Sequence, residues 1–316
     1  MRKFTHINAA TIDEAAAKLE EYDGKAYVNA GGTDLIGTLR FEVLREYPEA
    51  IINLKTIAPS MSYIKEEGGT LKIGALATLE EIAESEVVKS KWAALAEAAA
   101  KTASPHLREA GTIGGNICQM NRCWYFRKGQ NRFDCIRKGG NMCFAMAGEN
   151  RYHSIYGAVK ACIAVNPSDT APALVALNAT IKTNKRDIAA EDFWDVAIPG
   201  STVLDVDEIV TEIQVPAFAG KSAFLKFALR SSIDFPVVNC AAAIDGDDIR
   251  VCLNAVYNKP VRATAAEEAM AGKEINEANT EAAGAAAVTG TMGLAHNKWK
   301  IQVAKTMVKR AILACK

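Results

Sequence analysis

The chain has 316 residues, enough for two or three domains and a sizeable core. Its 37 Lys+Arg balance 37 Asp+Glu, and zero net charge speaks against a dedicated nucleic-acid binder, which carries a basic excess. No apolar run reaches the roughly 20 residues that span a bilayer. The N-terminal MRKFTHINAATIDEAA lacks the apolar stretch of an export signal, so a cytoplasmic location is expected.

In chain order, residues 11–22 read as an amphipathic helix, with Thr11 and Glu14 in capping-box spacing. AYVNAGGTDL runs from a short strand into a glycine turn, residues 34–45 suit a helix, and AIINLK (50–55) suits a buried strand. Residues 62–80 turn to strands, with Gly68-Gly69 as a hairpin turn. An Ala-rich helical stretch covers 79–101, and 104–117 reads as loop and strand. Residues 118–160 lack periodicity, and an unstructured stretch of that length inside a domain is functional or disordered. A turn at 166–170 leads to a short helix and a strand, and 207–216 closes the unit. Residues 223–232, 237–245 and 248–256 suit an antiparallel sheet, and 263–316 is mostly helical. Asn297 is placed to cap a last helix whose Trp299, Val303 and Met307 share a face. The expected units are 1–55, 56–210 with an insertion at 118–162, and 211–316.

Two glycine loops stand out. Ala30-Gly31-Gly32-Thr33-Asp34 lies between a strand and a helix, where consecutive glycines let N–H groups converge on an anion. Gly111-Thr112-Ile113-Gly114-Gly115-Asn116 repeats that logic about 80 residues later. Neither is a P-loop or a G-x-G-x-x-G fingerprint. Each alone is more often plain turn chemistry. Together they suit a ligand with a long pyrophosphate backbone.

Eight cysteines are present, and Cys118, Cys123, Cys135, Cys143 and Cys162 cluster within 45 residues. Without an export signal, metal or redox chemistry is the usual cause of such clustering. Residues 120–160 hold eight Lys/Arg against two Asp/Glu, an excess of six positive charges. That excess suits an anionic cluster, an acidic electron carrier, or merely a solvated surface. Structural zinc sites use close C-x₂₋₄-C pairs; apart from Cys118 and Cys123, with four residues between them, the sequence has no such pair here, so spacing alone leaves zinc open. Cys240 and Cys252 suit core strands, and Cys315 reads as incidental. His6, His106, His153 and His296 show no zinc-catalytic spacing.

AGGTDL and TIGGNI, in this order, resemble the FAD-contacting segments of the molybdenum-hydroxylase flavoproteins: the flavin subunits or domains of xanthine dehydrogenases, carbon monoxide dehydrogenases and 4-hydroxybenzoyl-CoA reductases. The resemblance continues through Gly74-Ala75-Leu76-Ala77-Thr78 (G-A-x-x-T), Ser168 to Leu174 (S-D-x-A-P-A-L), Lys226 with Arg230 (K-x-x-x-R), and Val238-Asn239. NKPVRAT at 258–264 fits the family's C-terminal domain. The implied fold is α+β: a PCMH-type FAD-binding fold followed by a C-terminal domain like that of carbon monoxide dehydrogenase flavoproteins.

The implied cofactor is FAD, with Ala30, Gly31, Gly32, Thr33, Asp34 and Leu35 wrapping the pyrophosphate and Thr112, Gly115 and Asn116 holding it from the second loop. Ala75, Thr78 and Leu174 belong to the same site. Asp169 would contact the ribityl–phosphate region, and Lys226 the isoalloxazine edge. Read alone, Asp169 could cap a turn and Lys226 could be a solvated strand residue.

The insertion is most similar to that of the 4-hydroxybenzoyl-CoA reductase flavin subunit. That implies a [4Fe–4S] cluster on Cys123, Cys135, Cys143 and Cys162, with a longer Cys143–Cys162 interval here. Cys118 is a spare that could replace Cys123 or be a small apolar residue. The implied role is electron relay with a molybdopterin-containing large subunit and a small [2Fe–2S] subunit, and ferredoxin or NAD(H) as outside partner. The alternatives are a stand-alone FAD-dependent NAD(P)H oxidoreductase and a zinc-stapled, non-catalytic interaction module.

Overall fold

The computed structural model describes residues 1–58, 60–194, 198 and 200–316. The N-terminal lobe is a parallel sheet of β1 (Thr5–Asn8), β2 (Ala26–Asn29) and β3 (Ala50–Asn53), in the order β1-β3-β2. Parallel neighbours need crossovers, and the helices Ile12–Glu21 and Leu35–Arg40 supply them. Thr11 Oγ1 accepts from Glu14 N at 3.1 Å and Glu14 Oε2 from Ala10 N at 2.7 Å, which fixes the first helix start. Ala15 and Leu19, one turn apart, bury its inner face.

The middle lobe is antiparallel: β4 (Ile64–Glu67), β5 (Thr70–Gly74), β6 (Thr180–Thr183), β7 (Asp187–Ala189) and β8 (Val210–Val215), ordered β4-β5-β8-β6-β7. The chain leaves this sheet after β5 and returns at β6. Everything carried by residues 75–179 therefore projects from one sheet. Helices Leu79–Glu84, Glu86–Lys91 and Ala93–Ala100 follow β5.

The segment 104–117 differs from the loop and strand expected. It forms two short helices, Pro105–Ala110 and Ile113–Cys118. Pro105 starts the first, where its missing N–H costs nothing. Thr112 caps the second by accepting from Gly115 N at 3.1 Å. Gly114 sits inside a helix because a Cβ there would lie 2.9 Å from Ala75 O.

The C-terminal sheet is antiparallel, β12-β11-β10-β9, from β9 (Lys221–Phe227), β10 (Val238–Asp245), β11 (Asp248–Asn254) and β12 (Val261–Arg262). Ala241 and Ala243 of β10 join the core shared with the middle lobe, while Cys240 and Ala242 join the core under the C-terminal helices. This strand alternation explains why β10 reads as an unbroken small-apolar run: both faces are covered. Cys240 and Cys252 are core as expected. Cys315 is also buried, with Sγ 3.6 Å from Ala242 O. It is a packing residue rather than an incidental one.

Helices Thr264–Met270, Glu277–Ala287 and Trp299–Leu313 cover this sheet. The last turns its Lys300, Ala304, Met307, Val308, Ala311 and Ile312 face inward; of the expected trio Met307 is buried, Val303 is half-buried and Trp299 is exposed. Asn297 does not cap it. Asn297 Oδ1 accepts from Leu294 N at 2.6 Å, and Nδ2 donates to His153 O and Ser154 O at 3.3 and 3.0 Å. It ties the helix start to the end of the cysteine-rich insertion.

The insertion has only short helical turns, Trp124–Arg127, Ile136–Lys138 and Phe144–Ala147, and side chains order the rest. Tyr125, Phe133 and Phe144 meet edge-on with ring centroids 5.1 and 5.2 Å apart, beside a small core of Val43, Phe126 and Cys135. Because Asn297 is fully buried, Asn297→Ala leaves Leu294 N and Ser154 O without partners, while His153 O keeps the Lys300 ammonium. Loss of about 3 kcal/mol of stability is expected in chemical denaturation, whereas a simple lost cap would cost about 1 kcal/mol.

Candidate functional site

A cleft of about 500 Å³ lies where the two glycine loops meet. A volume of that size suits a small molecule. The first loop contributes Ala30, Gly31, Gly32, Thr33, Asp34 and Leu35, and the second Gly111, Thr112, Gly114, Gly115 and Asn116. Ala75, Asp169 and the segment Ile233-Asp234-Phe235 complete the wall. The loops touch: a Cβ on Gly31 would fall 2.0 Å from Ala110 O. Among the described residues, the N–H groups of Gly31, Gly32 and Thr33 have no hydrogen-bond acceptor within the protein. Bare N–H groups at a loop before a helix make an anion cradle, which fits a pyrophosphate.

Three expected residues stand elsewhere. Thr78 caps the helix Leu79–Glu84 and pairs as a single bridge with Thr112. Leu174 is fully buried in the core. Lys226 donates from Nζ to Asp169 Oδ2 at 2.7 Å and to Lys101 O at 2.9 Å, and is not part of the cleft wall. A buried carboxylate needs partners, and Asp169 takes Lys226 and Asn239, whose Nδ2 lies 2.8 Å from Oδ1. Burial pushes the Asp169 carboxyl up, to about 6, against the pull of Lys226 and Asn239. Lys226 thus holds a cleft residue rather than facing the cleft.

Asn116 plays a similar double part. Its Oδ1 accepts from Ser168 Oγ at 2.5 Å and Thr170 Oγ1 at 2.8 Å, tying the second loop to the S-D-T turn.

Asp34 is the largest surprise. It lines the cleft, but its carboxylate is already engaged. Arg127 Nη1 lies 2.7 Å and Arg122 Nη1 3.0 Å from Oδ1, and Met120 N donates to Oδ2 at 3.0 Å. Burial alone would raise its pKa, but the two arginines outweigh it and hold the carboxyl below its usual range. Arg122 also stacks on Phe235, 4.5 Å from the ring centroid. Neither arginine was legible as a site residue. The only signal was their place either side of Cys123 in a basic run.

A second, smaller cavity lies under the insertion. Cys123, Cys135, Cys143 and Cys162 all line it, with Arg137, Phe126 and Phe144. Cys118 is not among them; it ends the helix Ile113–Cys118 and lines the first cleft. Burial pushes the Cys123 thiol up to about 12, opposed by the N–H groups of Phe126 and Tyr125 and reinforced by Cys162 and Cys135. Such thiols stay protonated until a metal takes them as thiolates. Arg137 Nε donates to Cys162 Sγ at 3.4 Å, and His153 Nε2 lies 3.2 Å from Cys123 Sγ. Behind His153, fully buried Lys300 donates to the carbonyls of Tyr152, His153 and Ala255 at 3.2, 3.0 and 2.5 Å. Among the described residues no three His, Cys, Asp or Glu side chains lie close enough to hold a single metal ion.

Residues 2–218 match the family described as the FAD binding domain in molybdopterin dehydrogenase, and 223–315 match the carbon monoxide dehydrogenase flavoprotein C-terminal domain. The aldehyde oxidoreductase FAD-binding subunit PaoB of Escherichia coli (strain K12) is 34% identical over 279 residues, 84% of this chain and 86% of that protein. The carbon monoxide dehydrogenase medium chain of Hydrogenophaga pseudoflava is 26% identical over 324 residues, 99% and 96% of the two chains. A solved structure of carbon monoxide dehydrogenase from that organism superposes with a TM-score of 0.76 at 26% identity, covering 99% of this chain and 97% of its own. The chain belongs to the family of FAD-binding subunits of molybdenum hydroxylases. The α+β fold in two parts is that of the family. No helix is long and apolar enough among the described residues to cross a membrane.

Gly31→Ala drives a methyl group into Ala110 O and parts the loops. FAD retained after gel filtration should fall about tenfold or more. Asp34→Asn keeps the shape but removes the charge that two arginines share. Cleavage within 118–162 by a limiting protease should then accelerate roughly tenfold.

Proposed function

We propose that this chain holds FAD in the larger cleft and a [4Fe–4S] cluster on Cys123, Cys135, Cys143 and Cys162. It relays electrons between these centres and two partners, a small [2Fe–2S] subunit and a large molybdopterin-containing subunit. The observation that carries the cluster is the convergence of four cysteines, from four separate stretches, on one cavity with a buried arginine in its wall. Burying cations is costly unless an anion compensates them, and four thiolates with iron supply one.

The cysteine spacing weighs against zinc. A tetrahedral zinc with Zn–S near 2.3 Å sets its sulfurs about 3.8 Å apart, and no such group of three occurs among the described residues. A cubane cluster spreads its ligands wider. The family match carries the flavin and does not bear on the cysteines.

When bound, FAD exchanges electrons singly or in pairs and so can link two-electron and one-electron carriers. The chain's own part is placement. The glycine loops bring N–H groups to the pyrophosphate, Asp169 is held at the wall by Lys226 and Asn239, and Asp34 joins the first loop to the cysteine insertion. Substrate chemistry belongs to the large subunit. Ferredoxin or NAD(H) is the outside electron partner.

Anaerobic purification of the complex tests this directly. The expected spectrum shows flavin bands over broad iron–sulfur absorbance, with about four irons and four sulfides per chain. Cys143→Ser should lose that iron and keep FAD. Stoichiometric zinc in place of iron would point to the stapled module, and steady NADH–dye turnover by the isolated chain to a stand-alone oxidoreductase.

A further inference from the structure

We infer that Arg137 sets the reduction potential of the cluster at the four-cysteine cavity, acting through Cys162 Sγ; this rests on the cluster reading above. Arg137 follows Cys135 by two residues and is 2% exposed. Its Nε donates to Cys162 Sγ at 3.4 Å, and its Nη1 to Gly200 O at 2.8 Å. Two anchors on one planar group fix the guanidinium's orientation as well as its position.

Its neighbours act differently. His153 Nε2 approaches Cys123 Sγ at 3.2 Å, but a neutral imidazole offers a dipole rather than a full charge. Lys138 acts on Cys135 and Cys123 through its charge alone, its Nζ being given to Lys128 O, and Lys300 gives its Nζ to three carbonyls behind His153. Asn258 Nδ2 reaches Cys162 Sγ only at 4.0 Å and is uncharged. Among the described residues, Arg137 is the charged side chain hydrogen-bonded to one of the four sulfurs.

The direction of the effect follows from charge. Reduction adds one electron to the cluster and breaks no bond, so the site gains one negative charge. A guanidinium stays protonated in proteins, and its field in a dry site favours the more negative state. Its hydrogen bond to the ligand sulfur works the same way, because donation strengthens as the sulfur gains charge. Arg137 therefore raises the midpoint and makes the cluster easier to reduce.

The test is a potentiometric titration of the assembled complex, followed by electron paramagnetic resonance, for wild type, Arg137→Gln and Arg137→Lys. Iron is counted in each. Gln removes the charge, and the reduced-to-oxidised ratio at a given potential should fall about tenfold, a midpoint lower by about 59 mV for one electron. Lys keeps the charge without the planar fork and should shift by less. The FAD midpoint should not move. An iron-replete Gln variant with the wild-type midpoint overturns the inference, as does a Lys variant shifted as far as Gln. Loss of iron from both variants makes Arg137 a structural residue and also overturns it. A wild-type protein without iron overturns the cluster reading itself.

Discussion

A carboxylate buried at the edge of a cofactor cleft must find cations, and Asp34 finds both of its own in another part of the chain. Arg122 and Arg127 come from the insertion, some 90 residues downstream, and flank Cys123. Arg127 is held in turn by the carbonyls of Met120 and Asn121, at 2.8 and 2.7 Å. Removing either side would leave charge in a partly buried setting, the costly outcome for any ion pair. The first glycine loop and the cysteine insertion therefore dock together or not at all. That single constraint ties the segment bearing Cys123, which lines the four-cysteine cavity, to the wall of the larger cleft.

The same economy governs the seam with the C-terminal domain. Asp169 takes a charge from β9 through Lys226 and a hydrogen bond from β10 through Asn239, while Asn254 of β11 donates to Ser168 O at 2.6 Å. Three successive strands thus hold one turn of the middle lobe. The segments S-D-x-A-P-A-L, K-x-x-x-R and V-N are distant in sequence but form one buried network, which must be satisfied as a unit. Arg230 of the same segment pairs with Asp234 in the loop bearing Ile233 and Phe235. Ile233 has φ of +67°, an expensive conformation for a β-branched residue. Its N–H donates to Ala103 O at 3.0 Å, which helps hold it at the cleft wall.

Periodicity and turn chemistry made most elements legible, because each depends on near neighbours: the capped helix after Thr11, the Gly68-Gly69 hairpin, the Val238–Asn254 antiparallel pair. The errors arise where a distant group decides. The stretch 104–117 reads as loop and strand, yet Thr112 caps a helix there, and at Gly114 Ala75 leaves no room for a Cβ. Asn297 looks like a cap, yet the carbonyls of His153 and Ser154 claim its amide. At the site, residue types and order revealed the loops, but no local pattern shows which carboxylate an arginine will meet. Asp34 lines the cleft as expected, but that its carboxylate is shared with Arg122 and Arg127, and that Lys226 pairs with Asp169, was not legible. The insertion escaped pattern reading because aromatic edges, rather than a helix or strand repeat, organise it.

Such an insertion suits an electron relay only if it is stiff, since transfer depends on fixed distances and on a site that does not reorganise. It is tied at three places to three bodies. Asp34 fixes the Cys123 end to the N-terminal lobe, and Arg137 joins Cys162 to Gly200 of the middle lobe. Asn297 and Lys300 fix residues 152–154 to the last helix of the C-terminal domain. Each tie uses a buried polar or charged side chain closed by hydrogen bonds, the kind of contact that tolerates one geometry and few others. A disordered loop carrying the same cysteines could bind a metal as tightly, but its distance to the flavin cleft would wander. The cost of desolvating Arg122, Arg127, Arg137 and Lys300 is the means by which one chain holds its cleft and its four-cysteine cavity in one fixed arrangement.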